Sequence, residues 1–253
     1  MNVILDHPVL MGALCFVFLW NGTYLTVRFV HGRGPRTQEA KEDFGVLVAA
    51  VLTLLGLVIG FTFSMAINRY DQRKNLEAAE ANAIGTEYVR ADLLAAPDAA
   101  KVRKLLKAYT EQRILYYGSH SAAELREIAA GRAALQQELW NAVLPVAATQ
   151  PTPITGLVVS GMNDVLNSQA YTYAAWLNRI PLEAWALLLM LALLSNIMVA
   201  YSARTLHKRS WLLVTLPLVV SVAVMLIADI DSPRGGLIRV STPNLTSVAA
   251  GMG

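Results

Sequence analysis

Apolar and polar positions divide the chain into two pairs of apolar runs with a mixed block between them. Residues 9–27, 44–67, 182–203 and 211–227 carry no charge except Glu183. These lengths match the 17–25 or so residues that a helix needs to cross a bilayer. The second run continues past Ile67, without a breaker, into NRYDQRKNLEAAEANAIGTEYVRADLL. Residues 44–94 therefore read as a single helix leaving an apolar medium for water. At about 1.5 Å per residue, such a rod is roughly 75 Å long. This helix reads as the axis of the protein and as a candidate pore wall.

Residues 68–180 hold 12 Lys/Arg and 11 Asp/Glu and read as helical almost throughout. The long helix is expected to end near residues 95–97. Asp98 is placed to cap a second helix with Val102, Leu105, Leu106, Tyr109 and Leu115 or Tyr116 at helical spacing, stopped by Gly118. Ser121-Ala-Ala-Glu124 reads as a capping box for a third, carrying Leu125, Ile128, Leu135, Leu139 and Trp140. Pro145, Pro151 and Pro153 read as a linker, and residues 155–178 as a fourth helix. Four helices with apolar stripes can share a bundle core. Pro181 opens the third span. Beyond the fourth, DIDSPRGGLIRVSTPNL predicts a turn and a short extended segment, and AAGMG a frayed end. The predicted fold is an all-α integral membrane protein. Its parts are membrane helices 1 and 2 (1–67), an extramembrane helical domain (68–180), membrane helices 3 and 4 (181–228) and a C-terminal tail (229–253).

Composition supports this plan. The chain of 253 residues is 55% hydrophobic and 15% charged, against about 25% charged in soluble domains; its mean hydropathy is +0.44. The net charge of +3 is scattered beside the apolar runs, which points to topology and anionic lipid rather than to nucleic acid. The single cysteine, Cys15, excludes a disulfide within the chain. His7, His31, His120 and His207 share no ligand spacing. The sequence has no phosphate loop and no nucleophile with a placed base; Ser119-His120-Ser121 reads as a loop. No enzyme activity and no cofactor is expected. The first apolar run lacks a basic n-region and a cleavage site, and reads as a retained helix. Trp185, Tyr201 and Trp211 fall near span ends, as an aromatic belt would.

The two short loops carry seven basic residues: Arg28, Arg33, Arg36 and Lys41 in the first, Arg204, Lys208 and Arg209 in the second. The positive-inside rule puts these loops in the cytoplasm and the helical domain outside. Arg69, Arg73, Lys74 and Arg179, on the domain side, blunt that difference.

Several residues are candidates for function. Gly56 and Gly60 form a GxxxG step, which lets helix backbones approach closely. Arg73 with Glu77 and Glu87 with Arg90 are spaced as intrahelical pairs, readable either as a solvated face or as rings of charge around a vestibule. Asp229 and Asp231 form a D-x-D that can help hold a hard cation; capping and turn formation before Pro233 and Gly235-Gly236 is the favoured reading. Glu183 sits where a helix N-terminus favours negative charge.

The segments RYDQR (69–73), EANAIGTEYVRADLL (80–94) and DIDSPRGGLI (229–238) resemble the bestrophin-like domain family of bacterial membrane proteins. The order of two spans, a helical domain and two spans is similar to that of bestrophin ion channels. That resemblance implies a pentamer with its pore lined by the second span, narrowed at an apolar neck. Ile59, Phe63 and Ile67, spaced i, i+4, i+8, would stack three apolar rings able to gate by dewetting, although such a stripe also serves helix packing. Glu80 and Asn82, in the family-like segment, become vestibule or ion-selectivity candidates with Arg73 and Glu77. The resemblance also implies a cytosolic helical domain, opposite to the loop charges. The expected function is an oligomeric ion channel of the bacterial inner membrane, with lipid, inorganic ions and further copies of the chain as partners and no nucleic acid. The alternative is a membrane sensor or scaffold whose helical domain binds a ligand or protein.

Overall fold

In the computed structural model, residues 6–29, 37–119, 121–202 and 212–253 are described. His31, Arg33, Arg36, His120, Arg204, His207, Lys208, Arg209 and Trp211 lie outside them. Among the described residues the regular elements are helical: α1 (Pro8–Phe29), α2 (Gln38–Arg90) with a 3₁₀ turn at Ala91–Leu93, α3 (Ala96–Gly118), α4 (Ala122–Thr149), α5 (Pro153–Leu177), α6 (Leu182–Ser202), α7 (Leu212–Asp231) and α8 (Pro243–Gly251). Four of the helical segments are long and apolar enough to cross a membrane. The all-α plan and the number of spans are as the apolar pattern predicts.

The chain forms two compact units: residues 1–69 with 179–239, and residues 70–178 with 240–253. The segment after the fourth span is thus divided between them. In the first unit α1 packs on α6 and α7. Met11, Cys15 and Leu19 of α1, Leu188 and Ala192 of α6, and Val224 and Ile227 of α7 are buried. Gly12 permits close approach, since a Cβ there would lie 2.8 Å from Cβ of Met225. Trp185 is buried within this unit, and the rings of Tyr201 and Phe44 meet tilted, with centroids 5.0 Å apart.

In the second unit one apolar core joins α2 (Ala81, Ile84), α3 (Val102, Leu106, Tyr109), α4 (Leu139, Val143), α5 (Val158, Met162, Val165) and α8 (Leu245). Five helix segments form this core, one more than the pattern predicts. The added one is α8, in place of an extended tail and frayed end. Pro243 sits in its first turn, where the missing N–H costs nothing, and Met252 beyond it is buried.

Other boundaries also differ. Ala95 caps α3, with Pro97 in the first turn and Asp98 already inside the helix. Ser121 accepts from Ala123 N at 3.3 Å, a cap one residue short of the expected box. The box appears instead at α5, where Thr152 and Thr155 satisfy each other's amides. Pro145 lies inside α4 rather than in a linker. The helix of the fourth span runs to Asp231, so both aspartates belong to its last turn.

Candidate functional site

The long helix α2 changes character near Ile67, and each half is organised within its own unit. In the apolar half, Leu55, Thr62 and Ala66 form the buried side, while Leu57 and Phe61 are more than half exposed. Of the neck candidates, Ile59 is half-buried; Phe63 and Ile67 are each 37% exposed. A Cβ at Gly56 or Gly60 would meet nothing within 4 Å. The GxxxG step is therefore open within the chain. Only 6% of the apolar window of this helix is buried, against 33–44% in the other three candidate spans.

The polar half places its charges inward. Arg73, Glu77, Glu80 and Glu87 are buried, whereas Asn82 is exposed. Arg73 donates to the carbonyls of Ala175 (3.4 Å) and Asn178 (3.5 Å) at the end of α5, where a helix C-terminus favours a cation. Glu77 accepts from Asn244 Nδ2 (2.7 Å) and Leu245 N (3.0 Å) in the first turn of α8, where a helix N-terminus favours an anion. Two charges of one helix thus satisfy orphan backbone groups of two others.

Glu80 forms a buried ion pair with Arg113 of α3. Its Oε2 also accepts from Tyr117 Oη (3.4 Å) and Thr172 Oγ1 (3.3 Å). The Arg113 guanidinium lies 4.6 Å from the ring centroid of Tyr116 and 5.6 Å from that of Tyr117. Burial disfavours the Arg113 charge, but the adjacent Glu80 carboxylate more than offsets it and holds the guanidinium above its ordinary range. Burial, then the same carboxylate, push the hydroxyls of Tyr109 and Tyr117 upward, which keeps both protonated. The network is closed on itself, as a buried pair must be to repay its desolvation.

Glu87 differs from its neighbours. Neither of its carboxylate oxygens meets a hydrogen-bond donor. It lies against Gly161 of α5, where a Cβ would overlap Oε2 and stand 2.5 Å from Arg90 Nη1. Arg90 itself donates to Leu157 O at 3.4 Å. Burial raises the Glu87 carboxyl to about 8; Arg90 opposes this and Asp164 adds to it.

In the first unit the D-x-D builds a turn. Asp229 accepts from Leu237 N (2.8 Å) and Ile238 N (2.9 Å). Asp231 accepts from Ile180 N at 3.2 Å. Gly236 is required there, since a Cβ would lie 2.6 Å from Asp229 O and Oδ1. Backbone amides therefore engage both carboxylates, and among the described residues no three His, Cys, Asp or Glu cluster as metal ligands.

Sequence reasoning missed Arg113, Tyr117, Thr172 and Asn244. Arg113 and Tyr117 did leave a signal: with Val102, Leu106 and Tyr109 they continue one helical stripe, so an arginine on a buried face required an acid. Thr172 and Asn244 left none.

Residues 14–245 match the family described as bestrophin-like domain. No curated protein sequence matches the chain. Among solved structures, a bacterial bestrophin homologue from Klebsiella pneumoniae is 14% identical, with 95% of each chain covered and a TM-score of 0.64. A point variant of a Klebsiella pneumoniae bestrophin homologue is 13% identical, with 95% of this chain and 96% of that one covered, at 0.64. A further membrane-protein variant is 13% identical over 95% of each chain, at 0.65. At these identities the likeness concerns the fold.

Proposed function

The chain belongs to the bestrophin-like domain family, and from that membership we propose that it is an oligomeric, pentameric ion channel whose pore α2 lines. The observation that carries this reading is the bareness of the apolar half of α2, whose most apolar 18-residue window is only 6% buried in a single chain. A span so little covered by its own chain is the one free to meet copies of itself around an axis. Gly56 and Gly60 then serve close contact between chains, and Phe63 and Ile67, with Ile59 beside them, form the neck. Arg73, Glu77 and Glu80 hold the helices behind the pore wall, and Asn82 faces the vestibule. Hydrophobic rings of this kind gate by excluding water.

The stoichiometry of the purified protein, followed by ion flux from liposomes, tests the proposal. A pentamer with flux that rises in Phe63→Ala is expected; a monomer or dimer without flux refutes it. The membrane is the bacterial inner membrane. Loop charge favours a periplasmic helical unit and bestrophin kinship a cytosolic one, and a reporter fused to the C-terminus decides between them.

A further inference from the structure

The segment DIDSPRGGLI (229–238) lies where three membrane helices of the first unit end. Helix α1 begins at Pro8, α6 begins at Leu182 and α7 ends at Asp231. Helix α7 has 20 residues. At about 1.5 Å per residue it is long enough for a hydrocarbon core of about 30 Å. Its last turn therefore falls at the boundary between acyl chains and headgroups. The chain segments at the three helix ends are tied together there. Asp6 pairs with Arg179, and Ser232 Oγ meets Asp6 Oδ1 at 3.5 Å. Asp231 accepts from Ile180 N at 3.2 Å.

Beyond Asp231 the loop is held by its own hydrogen bonds. Asp229 accepts from Leu237 N and Ile238 N. Gly235 N donates to Ser232 Oγ at 3.0 Å, and Arg239 Nε donates to Gly236 O at 2.6 Å. A Cβ at Gly235 would overlap Asp6 O, so the loop lies directly on the backbone that precedes α1. What these contacts hold outward is apolar: Leu237 is 90% exposed and Ile238 beside it 38%. A lone leucine in water is ordinary; this one is fixed at the depth of the headgroups. The acids of the segment, Asp229 and Asp231, are buried, while Arg234 is partly exposed and Arg239 exposed. The outward surface is thus apolar and basic, which complements acyl chains beneath a layer of phosphates. We propose that residues 232–239 form an interfacial anchor. Leu237 and Ile238 enter the phospholipid leaflet on the side where α1 and α6 begin. The occupant of this surface is lipid, and the proposal does not depend on the pore reading above.

The test uses the full-length protein in phospholipid nanodiscs, whose two faces both meet the solution. In a Cys15→Ala background, Leu237→Cys carries a polarity-sensitive fluorophore. The native side chain packs against almost nothing, so the substitution leaves the fold intact. Lipids with a nitroxide near the top of the acyl chain should quench this probe several-fold more than aqueous iodide does. The same probe at Lys104→Cys, exposed on α3, should show the reverse. Without the fluorophore, the thiol at position 237 should react with a charged, water-soluble reagent several-fold more slowly than the thiol at position 104. This arm removes any pull of the dye into the bilayer. Quenching by iodide and not by lipid would overturn the proposal, as would equal thiol rates at the two positions. A probe at position 237 shielded from both quenchers would place Leu237 against a second copy of the chain, and would overturn it as well.

Discussion

Replacing Glu87 by glutamine isolates the cost of one buried carboxylate. The side chain is 0% exposed and its oxygens meet no donor, so ionising it inside the fold is unfavourable. Its carboxyl moves from 4.5 to about 8. The folded state therefore holds this proton more tightly than the unfolded chain does. For such a group, stability is fully present below the unfolded value and is lost as pH rises toward the folded one. Integrating that difference between pH 5.5 and 8.5, at about 1.36 kcal/mol per unit, gives a loss of about 3 kcal/mol. Glu87→Gln keeps the shape and cannot ionise, so it escapes this term. At roughly 2–4 °C per kcal/mol, the gap in Tm between variant and wild type should widen by roughly 6–12 °C across the interval. Thermal unfolding of both proteins in detergent at several pH values measures it. Arg90 and Asp164 are present in both proteins, so the comparison isolates Glu87. Parallel Tm curves for the two proteins would refute the reasoning.

Three further perturbations probe the same unit. Glu80→Ala leaves Arg113, 2% exposed, without its carboxylate and should cost about 3–5 kcal/mol; chemical denaturation should show part of that loss restored in Glu80→Ala/Arg113→Met. Glu77→Ala frees the amide of Leu245 at the start of α8 and should cost about 1–3 kcal/mol. Hydrogen exchange should then accelerate in residues 243–251 first, and unchanged protection there would remove the capping role. Gly161→Ala drives a methyl into the Glu87 carboxylate and should destabilise by about 1–3 kcal/mol; a Tm that does not recover when Glu87→Ala is added would place the strain elsewhere.

The spans and the bundle were legible because hydrophobic run length and helical period are local properties. The orientation of α2 was not, because its partners lie far away in sequence. Glu80 meets Arg113 and Thr172, and Glu77 meets Asn244, so nothing within the helix announces that these carboxylates are inside. The expected outward ring of charge rested on the rule that charge faces water, which fails where each charge has an assigned counterpart. Helix α8 was missed for a different reason. The glycines at its end suggested fraying, while Pro243 in its first turn and the i, i+3 pair Leu245 and Val248 were the better signal. A register argument would have corrected the first error. Within the second unit Arg73, Glu77, Glu80, Ile84 and Glu87 are all buried. Successive members are separated by three or four residues, which keeps them on one side of the helix. A periodicity counted over apolar residues alone passes over such a stripe, because four of its five members are charged.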